Sequence, residues 1–293
     1  MAPRLQAFLA IVFWGLSFVA TRLALREVSP TTLIFTRFTL GVVLLHVILA
    51  VRRMPLLPPR SSWPMLALMG FIGIFIHQLI QSYALTMTTA VRTGWLIGIT
   101  PIWSALLAGI FLRERFGPGK LAGLALGFLG AAIVVTRGRF EAGLLALPST
   151  RGDFLILVST LNWAIYTVFG QGVIRTLGSH RAIAGAMLAG WLLLGLVFLG
   201  RSGWREFAHV SANGWGAMLF LGLGCSGLAY WFWYSALERI ETSRVASFLY
   251  LEPLVTVAAA VPILGETVGW SALVGGVVVL AGVTLVQRSG KRP

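Results

Sequence analysis

Glu252 stands four residues into the apolar stretch FLYLEPLVTVAAAVPILGETVGW, residues 248–270. An ionisable side chain at membrane depth is costly and is functional by default. Counted from the start of its apolar run it lies about 12 Å deep, at 1.5 Å per residue. Three roles suit it: binding a substrate ammonium, carrying a coupling proton, or pairing statically with an arginine such as Arg37 or Arg244. Tyr250 precedes it by two residues and Pro253 follows it. A proline frees a backbone carbonyl one turn earlier, and helices broken in this way line binding sites.

Other polar and aromatic residues fall at helical spacing inside apolar runs. His77 and Gln81 are four apart and share a face, with Gln78 beside them. Neutral His77 can accept from an ammonium or donate to a carboxylate; such side chains also bond helix to helix. Trp14, Ser17 and Thr21 share a face, as do Ser159, Asn162, Trp163 and Tyr166. Trp14 and Trp163 sit about 15 Å from the starts of their runs, which is midplane and not the interfacial aromatic belt. Ser226, Tyr230 and Tyr234 recur every four residues in SGLAYWFWYSAL, and Trp95 and Trp103 flank Pro101. Walls of Trp and Tyr suit planar or apolar side chains and attract cations, and the same rings also pack helices. The candidate substrate-binding set is His77, Gln78, Gln81, Trp14, Ser17, Asn162, Trp163, Tyr166, Tyr230, Tyr234, Trp95, Tyr250 and Glu252.

Catalytic and cofactor chemistry is not expected. His46, His77, His180 and His209 lack the pairing of zinc ligands, so no metal site is read. No G-x-x-x-x-G-K-[ST] loop occurs, so the chain does not itself hydrolyse ATP. The loop acids Glu27, Glu141, Asp153, Glu206, Glu238 and Glu241 are scattered, which argues against a polytopic membrane enzyme.

The elements that must hold these residues are membrane helices. The chain of 293 residues is 57% hydrophobic and only 11% charged, far from the roughly 25% charged of a soluble domain. Ten apolar runs have spanning length: 5–25, 32–51, 64–84, 93–112, 119–136, 153–174, 182–200, 214–236, 244–264 and 269–287. They are apolar all round and do not alternate as barrel strands do. The net charge of +14 punctuates these runs and does not gather on one face, so no nucleic acid is expected as partner. The lone Cys225 lies within an apolar run, so no intrachain disulfide can form. No small-residue cleavage site follows the first run, which is read as a retained helix. With the N-terminus inside, fourteen Lys and Arg fall on the cytoplasmic side and nine opposite, favouring two cytoplasmic termini.

The sequence also repeats. Residues 84–135 laid on 236–287 give twelve identities in 52 pairs. They include Arg92 with Arg244, Pro101 with Pro253, Glu114 with Glu266, Gly117 with Gly269, Gly123 with Gly275 and Gly130 with Gly282. Trp14 with Trp163 and Arg26 with Arg175 match at a slightly shorter offset. Two five-helix halves follow: 1–137, a linker 138–152, and 153–293. An odd number of spans makes the second copy enter the membrane inverted. The loops agree: RERFGPGK (113–120) is basic and its counterpart GETVGWSA (265–272) is not. Inverted repeats are common in secondary transporters. Glu114 and Glu266, at helix ends, read as structural, capping a neighbouring helix or pairing with arginine. Glycines 119, 123 and 127 on the fifth run, and Gly275 and Gly282 on a similar face of the tenth, suit close helix packing or dimerisation, and internal packing is the expectation.

The twice-occurring pattern of Pro, an apolar run, Glu, a Gly-containing loop and a Gly-rich closing helix (101–134 and 253–286) resembles the EamA-type domain of the drug/metabolite transporter superfamily. Within it the chain is most similar to the YddG-type exporters of aromatic and other amino acids. The resemblance implies an all-α integral membrane protein of the cell inner membrane, with ten transmembrane helices in two inverted five-helix repeats around a central cavity. One departure is that Thr100 stands where Glu252 has its match.

The expected function is export of amino acids or similar small metabolites by alternating access, without a cofactor. The partners are the substrate and the lipid bilayer, and a monomer suffices. Cationic drugs are the alternative cargo. Sugar phosphates and nucleotide-linked sugars rank lower, because anionic cargo wants arginine or lysine at membrane depth. A channel is disfavoured by the inverted repeat.

Overall fold

The computed structural model describes residues 1–87, 93, 96–136, 151–264 and 270–289. All regular structure among them is helical. Helix α1 is Pro3–Ala24 and α2 is Pro30–Val51. Helix α3 is the continuous stretch Arg60–Met87. Then come α4 (Thr100–Leu112), α5 (Pro118–Thr136), α6 (Arg151–Leu177) and α7 (Ser179–Gly200). Helix α8 is Ala212–Leu237, α9 is 242–264 in three segments, and α10 is Trp270–Arg288. Six of these, α1, α2, α3, α6, α7 and α8, are long and apolar enough to cross a bilayer, and α4 and Leu273–Arg288 are shorter apolar helices. Most of the expected runs match these bounds closely. Two places differ: the run 93–112 has a turn at 98–99 and its helix α4 opens only at Thr100, and 151–152, expected in the linker, lie in α6. The rest of the linker, 138–150, lies outside the described residues, as do Arg92, Trp95, Glu266 and Gly269.

Proline and serine set the helix starts. Proline stands in the first turn of α1, α2 and α4, where its missing N–H has no intrahelical acceptor to lose. Ser29 and Ser211 cap α2 and α8 with their hydroxyls. Three glutamates grip the serines at helix starts. Glu206 accepts from Ser29 N and Oγ at 2.6 and 2.8 Å. Glu238 accepts from Ser179 N and Oγ at 3.2 and 2.6 Å. Glu27 accepts from Ser211 N and Oγ at 2.7 and 2.8 Å. A carboxylate there satisfies orphan N–H groups and complements the helix dipole. Three of the loop acids that looked scattered, Glu27, Glu206 and Glu238, are thus structural caps.

The chain divides into two compact units, each drawing on both halves of the sequence. One comprises Met1–Tyr83 and Phe169–Arg239, and the other Ala84–Val168 and Ile240–Pro293. In the first, α3 and α8 each contain a π-helical segment, Gly70–Ile76 and Phe220–Leu228. The wider turn perturbs the hydrogen-bond ladder, and such segments concentrate at functional sites. Gly70 is pressed on α7: a Cβ there would meet Ala186 O and lie 2.6 Å from Gly190 N. Gly222 is pressed on α2, where a Cβ would lie 2.5 Å from Leu40 Cβ.

In the second unit α5 packs along α10 through glycine. A Cβ on Gly123 would lie 2.8 Å from Gly282 O, and one on Gly130 would lie 2.7 Å from Gly275 O. The glycine stripe is therefore used for internal packing. The element bounds also keep register. Thr100 and Glu252, at equivalent positions of the repeat, each open a helical segment. Exposed apolar side chains such as Val43, Val47 and Leu196 in one unit, and Leu106, Ile110 and Val277 in the other, present faces suited to lipid.

Candidate functional site

The π segment of α8 and the turns that follow it build a buried aromatic cluster in the first unit. Its Cys225 carbonyl accepts from Trp14 Nε1 at 3.0 Å, which fixes the indole of α1. The Trp14 ring meets Tyr230 edge-on with centroids 5.5 Å apart and lies 5.1 Å from Trp233. Phe38 of α2 closes on Tyr230 at 6.1 Å. Gln78 Nε2 of α3 donates to Tyr230 Oη at 3.1 Å. Four helices, α1, α2, α3 and α8, thus bring Trp14, Gln78 and Tyr230 together, and all three are buried. His77 and Tyr234 are buried as well, and Gln81 is half-buried with no hydrogen bond among the described residues. Ser17 is turned to its own helix, donating to Trp14 O at 2.7 Å.

The sequence reading missed Arg37. It was counted with the charges of the loops, yet it is the eighth residue of α2 and 5% exposed. Its Nε donates to Ser226 Oγ of the π segment at 2.9 Å, and its guanidinium lies 5.4 Å from the Phe38 ring centroid. The signal was available, since a lone arginine seven residues into an apolar run is rare at membrane depth. Trp233, fully buried beneath Trp14, was likewise left off the candidate set.

In the second unit the candidates divide. Trp163 and Tyr166 of α6 are buried and their rings lie 5.4 Å apart. Asn162 Oδ1 is enclosed without a hydrogen-bond partner among the described residues. Tyr250 is committed to α5: its hydroxyl donates to Leu124 O at 2.9 Å, and its ring covers Gly127. Glu252 is 6% exposed and opens the last segment of α9, after a 3-10 turn at Phe248–Leu251. The break that Pro253 foretold is present. The arginine pairing is not. Arg37 is bonded to Ser226 and Arg244 Nε to Glu241 at 2.9 Å, so Glu252 has no ion pair among the described residues, and its Oε2 meets no donor there. Trp95 lies outside the described residues.

A polar network stands apart from these groups, at the α4–α5 turn. Lys120 Nζ lies 3.1 Å from both Glu114 and Glu241, and Glu114 also accepts from Ser243 Oγ at the start of α9. Glu114 is thus structural, as expected, though its cation is a lysine. Burial pushes the Glu241 carboxyl up, but the hydrogen bond and charge of Lys120, with Arg244, outweigh it and hold the group below the ordinary glutamate value.

Comparison with known proteins matches this architecture. The EamA-like transporter family matches twice, over residues 3–136 and 150–288. An uncharacterised transporter of Archaeoglobus fulgidus is 31% identical over 277 residues, covering 94% of each chain. A protein of Streptantibioticus cattleyicolor named a probable terminal-alkyne amino-acid exporter is 29% identical, over 96% of this chain and 91% of its own. One of Salmonella typhimurium named a probable amino-acid metabolite efflux pump is 27% identical, over 94% and 92%. A solved crystal structure superposes with a TM-score of 0.80 at 20% identity, covering 98% of this chain and 99% of its own, a likeness of fold alone. With both stretches of the family pattern matched and its apolar helices in place, the chain belongs to the EamA-like transporter family.

Proposed function

We propose that this protein exports amino acids or closely related small metabolites across the cell inner membrane by alternating access. In this reading all ten helical stretches span the bilayer, as two inverted five-helix repeats, 1–137 and 153–293, with both termini cytoplasmic. The observation that carries it is reciprocal packing between repeat mates. Gly123 and Gly275 are equivalent in the repeat, as are Gly130 and Gly282. Gly123 packs on Gly282 and Gly130 on Gly275. Moving up α5 is moving down α10, so the mates run antiparallel, as copies related by a two-fold axis in the membrane plane do. Gln78 with Tyr230 and Thr39 with Trp191 are further bonded pairs, each 152 residues apart.

The cargo follows from the residues and from relatives named as amino-acid exporters. The buried cluster of Trp14, Gln78 and Tyr230 offers ring faces for an apolar side chain and polar groups for a zwitterion. His77, Gln81, Ser17 and Tyr234 belong to the same proposal, as do Asn162, Trp163, Tyr166, Tyr250, Trp95 and Glu252. Organic cations, the alternative cargo, would have to approach the Arg37 charge.

Counterflow into proteoliposomes tests this reading. Trapped unlabelled amino acids are expected to accelerate uptake of a radiolabelled one, and trapped sugars are not. Exchange of an organic cation with no exchange of any amino acid would refute it.

A further inference from the structure

Among the described residues Arg37 lacks the counter-ion that a buried guanidinium normally has. It lies about two helical turns into α2, about 10 Å from its start at 1.5 Å per residue. Its only hydrogen bond among the described residues is Nε to Ser226 Oγ. A guanidinium carries five N–H donors. The carboxylates of the same unit are already engaged: Glu27, Glu206 and Glu238 each hold a helix-starting serine. Tyr230 and Cys225 are the groups close enough to feel its charge, and neither is a carboxylate. A desolvated, unpaired cation is among the most unfavourable arrangements in a protein interior.

We propose that Arg37 is the carboxylate-binding residue of the transport site. The terminal N–H groups take the two oxygens of the substrate carboxylate as a fork, which a planar guanidinium does better than any other side chain. Ser226 is the positioning residue. By accepting from Nε it fixes the guanidinium against α8 and leaves the terminal nitrogens without a hydrogen bond among the described residues, and the π segment puts the hydroxyl in reach. Tyr230, one turn on from Ser226 and within 5.5 Å of the Trp14 ring, places an aromatic surface beside the anion site for the rest of the substrate. A brace between α2 and α8 would need only the single bond to Ser226. Placing a full charge there to make it has no structural return. This inference rests on the amino-acid reading above and names the half of the zwitterion that unit holds.

The test uses the purified full chain with three probes: L-phenylalanine, phenylacetate, which lacks the amine, and phenethylamine, which lacks the carboxylate. Binding is read from the rise in unfolding temperature, and from competition in counterflow. In the wild type, phenylalanine and phenylacetate are expected to bind. In Arg37→Gln both should weaken about ten- to a hundred-fold, the range for loss of a charge-assisted bond, while phenethylamine binding is unchanged. Arg37→Lys should fall between. If Arg37→Gln does not fold, Ser226→Ala is the readout: a loss of about three- to ten-fold for phenylalanine and phenylacetate, with phenethylamine unchanged. Unchanged phenylacetate affinity in the folded variants, or no protection of the wild type by phenylacetate, overturns the proposal. Two outcomes separate it from the reading it rests on. Wild-type amino-acid exchange that persists in Arg37→Gln sinks only the anion site. Arg37-dependent protection by phenylacetate without exchange of any amino acid sinks only the export reading.

Discussion

Replacing Gly123 by alanine tests the α5–α10 contact with one added methyl. That methyl would stand 2.8 Å from Gly282 O and from Val286 N, and 2.7 Å from Val286 Cγ2. Carbon contacts are comfortable near 3.5 Å, so the helices must part by roughly 0.7 Å at this point. Two of the three obstructing atoms are backbone and cannot rotate away. Overpacking of this kind costs about 1–3 kcal/mol, and alanine returns about 0.5–1 kcal/mol of helix preference. The net loss is about 1–2 kcal/mol, or about 2–6 °C in unfolding temperature for a chain of this size. Thermal unfolding in detergent, followed by size-exclusion with fluorescence detection, reads it directly. Gly172 is the internal reference, because a Cβ there meets nothing within 4 Å; Gly172→Ala should melt at or above the wild type. Gly282→Ala should fall as Gly123→Ala does, and the double variant should fall by less than the sum, since one separation serves both methyls. A Gly123→Ala protein that melts with Gly172→Ala would refute the close approach and with it the reciprocal packing of the repeat mates.

Further outcomes are expected. Trp14→Phe removes the donor to the Cys225 carbonyl and should lower stability by about 1–3 kcal/mol, read as a fall in unfolding temperature. Tyr250→Phe should cost about 1 kcal/mol through the lost bond to Leu124 O, read as a fall in unfolding temperature. Glu241 has its folded carboxyl held below the ordinary value, so its stabilisation is present above that value and is lost as pH falls through the folded one. The unfolding-temperature gap between wild type and Glu241→Gln should thus be open at neutral pH, close in acid, and narrow with added salt because the group is 46% exposed. Glu252→Gln should fold as well as the wild type, because no ion pair is broken, and should lose counterflow; full exchange in that variant would remove Glu252 from the site.

The membrane helices were legible because hydropathy and helix length are local properties that a bilayer reads along the chain. Pro101 and Pro253 foretold the starts of Thr100–Leu112 and of Glu252–Leu264 for the same reason: a missing N–H acts within one turn. The glycine stripe was equally readable, since absence of a side chain permits close approach whatever the partner. The site was legible in part. Trp14, Gln78 and Tyr230 were marked by being large or polar at membrane depth, and they do converge.

What escaped was pairing. Tyr250 lies two residues from Glu252 and looked like its neighbour, yet its hydroxyl belongs to α5. Arg37 looked like a loop charge or a partner for Glu252, and it is bonded to Ser226 instead. Glu27, Glu206 and Glu238 looked idle and each holds a helix start. Composition and periodicity say which groups are dear to bury, because that cost belongs to one residue and its solvent. Which partner relieves the cost depends on groups about 190–210 positions away, as with the Ser226 hydroxyl for Arg37 and the Cys225 carbonyl for Trp14. Only the tertiary structure decides that, because hydrogen bonds reach about 3 Å in space and take no account of distance along the chain.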